Sequence, residues 1–213
     1  MTSAVIAEFL GTALLLAVVT GSGIMGDSLS GGNAAVALLG NSIATGAGLY
    51  VLITLLGPIS GAHFNPLVSV LARLNQEMDQ GTLMTYLLAQ FCGAVCGVWA
   101  THLMFGQALL QISSKVRTGP GQWLSEFLAA LLLLSVIRLG VRQSPHQVPI
   151  LVAMVVTAGY WFTSSTFFCN PAVTLARSFT DTFVGIQPED VLGFVGAQVL
   201  ALLVFWAVSK KIS

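Results

Sequence analysis

Charged residues are scarce in this sequence. Only 8% of the 213 residues are charged and 55% are hydrophobic, with a mean hydropathy of +0.88, whereas a soluble domain carries about 25% charged residues. The net charge is zero, and the eight basic residues are spread along the chain. This excludes binding to nucleic acid or to an anionic membrane surface, since both need clustered positive charge. The composition indicates an integral protein of the lipid bilayer.

Cysteine is also rare. Its three copies, Cys92, Cys96 and Cys169, lie in apolar surroundings without CxxC spacing or a nearby group of histidines. A disulfide framework or a thiolate metal site is therefore not expected. The sequence has no HExxH motif, no recognisable pair of nucleophile and base, and no paired aspartates within an apolar run. We expect neither a cofactor nor a metal, and we do not expect an enzyme.

Long apolar runs are what the sequence has in abundance. A spanning helix needs about 20 mainly apolar residues, and six stretches qualify. These are 3–22, 34–56, 84–106, 122–139, 147–165 and 190–209. Two further apolar stretches, 57–74 and 166–180, are too short to span and are expected to enter the membrane and turn back. The expected fold class is all-α, with six transmembrane helices and two re-entrant half-helices.

Two nearly identical phrases stand in the short stretches: AHFNPLVSVLAR at 62–73 and FFCNPAVTLAR at 167–177. Other features recur in the same order, since AEFLG and SEFLA contain Glu8 and Glu126, and two AQ pairs contain Gln90 and Gln198. Such ordered similarity predicts an internal repeat. We expect one membrane domain, 1–213, made of halves 1–106 and 122–213 joined by the loop 107–121. Three spans in each half make the second copy inverted in the membrane.

The Asn-Pro pair in each phrase predicts the start of a buried helix. Asparagine is a strong N-cap and proline is favoured at the first helical position. If Asn65 and Asn170 cap their helices through the side-chain oxygen, their amide NH₂ groups are free to face a solute. In an inverted repeat the two helix starts meet near the bilayer centre, where their partial positive charges repel cations. The alternative is that each Asn-Pro only marks a loop turn.

These motifs resemble the major intrinsic protein family, which comprises the aquaporins and aquaglyceroporins. The resemblance covers essentially the whole chain and rests on SGAHFNP, NPAVTLAR, the two Glu residues and the two AQ pairs. It implies one pore in each subunit of a homotetramer. The implied central pore motifs are Asn65, Pro66 and Leu67 in the first half and Asn170, Pro171 and Ala172 in the second. Leu67 stands where the family usually has alanine, which adds bulk at the contact between the half-helices.

The resemblance also implies a selectivity filter. Most water-selective members have arginine where this chain has Val173, and spacing carried over from the family adds Thr45, Ala158 and Phe167. Such a ring has no fixed charge and one hydroxyl, which suits solutes larger than water unless Phe167 turns inward. Arg177 lies one helical turn beyond Val173, where it could add positive charge to the outer mouth. The spacing favours instead an ion pair between Arg177 and Asp181.

Other polar residues in the apolar segments have expected roles. His63, Val68 and Cys169 are expected to line the pore. His63 could respond to pH, or it could be a neutral histidine held by hydrogen bonds. The supporting residues, which are expected to bind the re-entrant loops because buried carboxylates are costly in a membrane, are Glu8, Glu126, Gln90 and Gln198.

The expected function is a passive channel for small uncharged solutes. The resemblance to bacterial members associated with arsenic resistance favours metalloid hydroxides such as arsenite, glycerol or both, with water also passing. The alternatives are an ordinary water or glycerol facilitator and, less favoured, a secondary transporter. Five basic residues fall on one side of the expected topology and three on the other. This distribution predicts a multi-pass protein of the bacterial inner membrane with both termini in the cytoplasm.

Overall fold

A computed structural model of the protein describes residues 2–212, and within this range the fold is entirely helical without strands. The first half contains α1 (Ser3–Leu29), α2 (Ala34–Ser60), α3 (Pro66–Leu74) and α4 (Gln80–Met104). The second half contains α5 (Pro120–Gln143), α6 (Val148–Phe162), α7 (Pro171–Ala176) and α8 (Pro188–Ile212). Short 3₁₀ turns, Pro145–Gln147 and Arg177–Phe179, precede α6 and follow α7. The predicted order of helices and half-helices is confirmed.

In the described part of the chain, five helices are long and apolar enough to cross a membrane: α1, α2, α4, α5 and α8. The sixth predicted span, 147–165, differs, because α6 has 15 residues and is therefore only about 22 Å long. The helix ends at Phe162, where the chain turns into the irregular segment that leads to α7. The protein is a multi-pass membrane protein.

The helix limits follow from local chemistry. The Asn33 side chain accepts hydrogen bonds from the first turn of α2, and Asp79 does the same for α4, which satisfies backbone N–H groups that have no partner within the helix. Helix α2 ends at Ser60, and the next residue, Gly61, adopts the left-handed conformation (φ 84°) that glycine permits without a steric penalty.

Glycine also allows α1 and α4 to approach closely. A Cβ atom added to Gly97 would lie 2.1 Å from the Ala13 carbonyl oxygen, and one added to Gly93 would lie 2.4 Å from the Phe9 carbonyl oxygen. Small residues at this four-residue spacing are typical of packed membrane helices.

The distribution of polarity suits a lipid environment. Large apolar side chains are exposed on the outer surfaces of the long helices, including those of Leu55, Leu88, Leu103 and Leu192. The interior contains fully buried carboxylates and amides. Since lipid offers these polar groups no hydrogen bonds, each must find its partner inside the protein.

Candidate functional site

Each half-helix is capped by its own asparagine. The Asn65 side-chain oxygen accepts a hydrogen bond from the Leu67 N–H (2.9 Å), and the Asn170 oxygen accepts from the N–H groups of Ala172 (3.0 Å) and Val173 (3.3 Å). A proline occupies the first turn of both α3 and α7. The side-chain oxygens are therefore occupied, and the two NH₂ groups are directed elsewhere.

The two NH₂ groups bond across the junction between the halves. The Asn65 amide donates to the Cys169 carbonyl oxygen (2.9 Å), and the Asn170 amide donates to the Phe64 carbonyl oxygen (2.8 Å). Each acceptor residue directly precedes the opposite asparagine in the sequence. An amide NH₂ has two hydrogens, so each asparagine retains one donor, and both residues border the same internal cavity.

The backbone before each asparagine adopts an uncommon conformation. The residue directly before each asparagine is left-handed: Phe64 (φ 48°) and Cys169 (φ 41°). The residue three positions before each asparagine is also left-handed: Ala62 (φ 49°) and Phe167 (φ 58°). Such residues carry a steric cost that the surrounding structure must offset. The same unusual conformations at equivalent positions of both halves show that the two loops turn alike.

Glu8 holds the first of these loops. Its carboxylate, which is fully buried, accepts hydrogen bonds from the backbone N–H groups of His63 (2.9 Å) and Phe64 (2.8 Å). It also accepts from the Ser60 hydroxyl (2.7 Å) and the Gln90 amide (2.8 Å). A carboxylate offers about four acceptor sites, so these bonds occupy all of them.

Glu126 holds the second loop in the same manner. It accepts from the backbone N–H groups of Phe168 (2.9 Å) and Cys169 (2.8 Å), and from the Gln198 amide (2.6 Å). Gln198 then bonds to the Thr174 hydroxyl (3.0 Å). The structure thus places both Glu–Gln pairs where they fix the strained backbone at the centre of the molecule.

A cavity of about 350 Å³ lies between the two halves. It extends from Arg177, after α7, past both asparagines to Glu77 and Arg138, and most of its lining is apolar. Among the described residues there is no group of three or more histidine, cysteine or acidic side chains that could hold a metal. The arrangement offers a solute a few hydrogen bonds between apolar walls.

The residues that border the cavity include four from different segments, which we call the ring of four: Thr45 of α2, Tyr160 of α6, Phe167 of the second loop and Val173 of α7. The Thr45 and Tyr160 hydroxyls are 3.2 Å apart and form a hydrogen bond. None of these four side chains is charged, and the nearby charged residue on the cavity lining is Arg177.

The chain as a whole is similar to known proteins. A family model described as Major intrinsic protein matches residues 1–207. The chain belongs to the major intrinsic protein family. Aquaglyceroporin AqpS of Rhizobium meliloti (strain 1021) is 53% identical over 200 residues, covering 94% of this chain and 85% of that protein. Probable aquaporin PIP2-8 of Arabidopsis thaliana is 37% identical over 95 residues, covering 45% of this chain and 34% of that protein.

A solved structure shows the same fold. The X-ray structure of the aquaglyceroporin from Plasmodium falciparum superposes with a TM-score of 0.78 over 99% of this chain and 96% of that chain, at 19% sequence identity. The predicted family and fold are confirmed. The family model and the aquaglyceroporin relative support a passive channel.

In this major intrinsic protein, the filter position expected at Ala158 is wrong. Ala158 is exposed on α6 and does not border the cavity, whereas Val152, Val156 and Tyr160, which are spaced by one helical turn, do. The family spacing fails by two residues, and two residues turn a helix by about 200°, which puts Ala158 on the side of α6 opposite Tyr160. The four-residue spacing of Val152, Val156 and Tyr160 is a signal by which the sequence could have shown the cavity-facing side of α6.

The Phe167 ring is held against α6. A Cβ atom added to Gly159 would lie 2.2 Å from the Phe167 ring, and the Phe162 ring packs edge-on at 6.1 Å. Gly159 therefore provides the space in which the Phe167 ring lies beside the cavity, so the width of the ring of four depends on this glycine.

The other predicted pore residues lie in two environments. His63, Val68 and Cys169 border the cavity, and the His63 ring forms a hydrogen bond with the Ser69 hydroxyl (3.0 Å). The remaining motif residues are buried in helix contacts and do not border it: Pro66, Leu67, Pro171 and Ala172. The bulk of Leu67 is thus accommodated in the core.

The favoured pairing of Arg177 with Asp181 is also wrong. Asp181 instead accepts hydrogen bonds from the Ser114 N–H and hydroxyl, both at 2.9 Å. These two bonds lower the pKa of the Asp181 carboxyl. Arg177 turns inward, where it is only 2% exposed, borders the cavity and donates through Nε to the Val184 carbonyl oxygen. The spacing of four residues does not produce a pair because α7 ends at Ala176 and the chain continues as a 3₁₀ turn.

Proposed function

We propose that this protein is a passive channel for small uncharged solutes, with metalloid hydroxides such as arsenite and with glycerol as its cargo, and that water also passes. The observation that carries the proposal is the cavity of about 350 Å³ between two capped half-helices. Its apolar walls contain isolated hydrogen-bonding groups, an arrangement suited to small polyols. The name of the relative from Rhizobium meliloti supports the same class of channel.

The hydrogen-bonding groups match a neutral hydroxylated solute. Asn65 and Asn170 each retain one N–H donor for a solute oxygen, while the Thr45 and Tyr160 hydroxyls can accept from a solute hydroxyl. Val173 stands where most water-selective members have arginine. The ring of Thr45, Tyr160, Phe167 and Val173 therefore has no charged side chain.

Cations and protons are excluded at the centre in this proposal. The half-helices α3 and α7 begin at Asn65 and Asn170, whose amides cross-bond between the halves. A helix start carries about half a positive charge, and an ion entering between apolar walls loses hydration that the two asparagine donors cannot replace.

The assembly and location belong to the same proposal. We expect a homotetramer in the bacterial inner membrane, with both termini in the cytoplasm and the halves 1–106 and 122–213 related by inversion. Each subunit conducts through its own cavity. This orientation can be tested by replacing residues of the loop 107–121 with cysteine, one at a time. A thiol reagent that does not cross the membrane should label these cysteines from the periplasmic side of intact cells.

A water facilitator is the second candidate, and one observation favours it. The sequence predicts Ala158 in the ring, but Tyr160 occupies that side. A tyrosine is much larger than an alanine, so the ring is narrower than the sequence suggested. Tyr160→Ala should then admit glycerol to a channel that otherwise carries water.

The substitution Val173→Arg tests the role of the uncharged ring. It should reduce glycerol and arsenite entry into proteoliposomes about tenfold or more, while water permeability falls less, since a charged side chain narrows the ring and adds donors. Stopped-flow light scattering measures both rates. Val173→Leu adds bulk without charge and is the matched control. Wild-type protein that passes water but neither glycerol nor arsenite would contradict the cargo assignment.

A further inference from the structure

Three basic side chains converge near the Arg177 end of the cavity. Lys115 Nζ donates to the Phe183 carbonyl oxygen (2.6 Å), Arg117 Nε donates to the Gly185 carbonyl oxygen (2.8 Å), and Arg177 Nε donates to the Val184 carbonyl oxygen (2.5 Å). Three consecutive carbonyls thus hold three cations. We refer to Lys115, Arg117 and Arg177 as the basic cluster.

The two arginines share one aromatic neighbour. The guanidinium carbon of Arg177 lies 3.4 Å from the centroid of the Phe168 ring, and that of Arg117 lies 5.2 Å from the same centroid. Both distances allow attraction between the cation and the ring. This contact holds two like charges close together, although it neutralises neither.

Among the side chains that the structure describes, no carboxylate forms an ion pair with the basic cluster. The ion pair found in residues 2–210 joins Arg138 to Glu77, at the opposite end of the cavity. The nearby acidic groups are engaged elsewhere: Asp190 with the Arg117 backbone N–H, Asp181 with Ser114, and Glu126 with the second loop. Asp27 acts on Lys115, and Glu126 acts on Arg117, through charge alone.

The electrostatic consequence appears in the loop residues of the cluster. Burial, and then the positive charges of Arg117 and Arg177, lower the pKa of Lys115 to about 8. Burial lowers the pKa of Arg117 to about 10. The charged forms of both residues are therefore held at a cost that a bound negative charge would reduce.

Arg177 provides the place where such a charge could bind. The residue is 2% exposed and borders the cavity, and its Nε is its one nitrogen with a hydrogen-bond partner among the described residues. Its two terminal nitrogens are therefore without protein partners beside the cavity. A guanidinium presents such nitrogens as a planar pair that matches two oxygens of one oxyanion.

We propose that the basic cluster forms a binding site for a small monovalent oxyanion, such as nitrate or formate, which is held by the terminal nitrogens of Arg177 at one end of the cavity. Arg117, which lies over the Phe168 ring, and Lys115 supply additional positive charge from the loop 107–121. This site goes beyond the proposed solute channel, and its effect on flux rests on that proposed function. A bound anion occupies the space beside Val173 and Thr45 and slows the passage of neutral solutes.

Two readouts test the site. In detergent, potassium nitrate should raise the midpoint of thermal unfolding relative to potassium gluconate at equal ionic strength, because a ligand that binds only the folded state stabilises it. In proteoliposomes, replacing potassium gluconate with potassium nitrate should remove most of the water permeability, and the effect should saturate as the nitrate concentration rises. Formate should act like nitrate in both measurements.

The variants identify the residues. Arg177→Gln should abolish both nitrate effects, and Lys115→Gln should raise the nitrate concentration needed for half of each effect, whereas Lys115→Arg should restore it. Arg73→Gln removes a basic side chain outside the cluster and is the matched control, in which both nitrate effects should persist. If Arg177→Gln does not fold, the Lys115 pair still decides the question.

Three results would overturn the proposal. Nitrate could leave the unfolding midpoint unchanged, or it could shift the midpoint of Lys115→Gln or Arg177→Gln as it shifts that of the wild type. The third is that nitrate crosses the vesicle membrane freely through the protein instead of binding beside Arg177. Failure of the channel itself looks different. Proteoliposomes no more permeable to water, glycerol or arsenite than protein-free vesicles would contradict the proposed function, while the unfolding midpoint would still report the anion site.

Discussion

The two halves of the molecule support their half-helices with equivalent hydrogen bonds, but they place different residues before the asparagines and at the two ends of the cavity. In the first half Glu8 and Gln90 bind the loop before Asn65, and the second half repeats this with another Glu–Gln pair. Two residues before the asparagine, however, the first half has His63, bonded to Ser69, and the second has Phe168, stacked on a buried arginine.

This comparison separates two kinds of sequence requirement. The strained left-handed loops at the centre need an acceptor for their N–H groups, so a buried carboxylate recurs in both halves. The ends of the cavity carry no such constraint. One end has a partly exposed ion pair between Glu77 and Arg138, and the other has the ring of four and the basic cluster.

Removing the shared support should have the largest effect. Glu8→Ala leaves four donors without an acceptor and Glu126→Ala leaves three, and each unsatisfied buried donor costs about 1–3 kcal/mol. Both variants should unfold at much lower temperature in detergent, or fail to fold, and Glu8→Ala should be the worse. Glutamine at either position should be milder. A Glu126→Ala protein as stable as the wild type would refute the supporting role.

Added bulk beside Phe167, in the second half, should reduce solute entry. In Gly159→Ala the new methyl group would lie about 2.2 Å from the Phe167 side-chain ring. The phenylalanine must therefore move, which should reduce the free energy of unfolding by about 1–3 kcal/mol. We expect slower glycerol entry into proteoliposomes and a modest loss of thermal stability. Gly196→Ala is the matched control because its Cβ would meet nothing within 4 Å. Equal glycerol rates in both variants would show that Phe167 does not set the width.

The basic cluster should give the second half a pH response. Lys115 has a pKa of about 8 and is faced by Asp27, Arg117 and Arg177, so raising the pH from 7 to 9 removes most of its charge, while Arg117, with a pKa of about 10, stays mainly protonated. The nitrate effect on the unfolding midpoint should therefore weaken over this range. Lys115→Arg should remove the pH dependence, and its persistence in that variant would assign it to another group.

Breaking the ion pair at the opposite end should have the smallest effect. Arg138 and Glu77 are 2.6 Å apart, but their side chains are 30% and 49% exposed. Exposed pairs contribute about 0–1 kcal/mol. Glu77→Gln should therefore leave thermal stability and glycerol entry close to wild type. A large change in solute entry would reveal a gate at this end of the cavity.

The sequence predicts the repeated features better than the unrepeated ones. The order of helices, the Asn65 and Asn170 caps and the Glu–Gln pairs follow from helix chemistry and from the cost of buried charge. Ala158 is placed wrongly because the rotation of α6 about its axis, which tertiary packing sets, determines which of its residues face the cavity. The predicted Arg177 pair fails for a similar reason, since the 3₁₀ turn after α7 directs the guanidinium toward Phe168.

The most direct measurement is solute entry into proteoliposomes of the purified protein, for glycerol and arsenite, with gradients imposed in either direction and with or without gradients of sodium ions or protons. The account predicts rates proportional to the solute gradient and unaffected by the ion gradients. Glu8 and Glu126 are then structural, since each is occupied by backbone N–H groups. Saturable entry that requires an ion gradient would contradict the channel and indicate a secondary transporter.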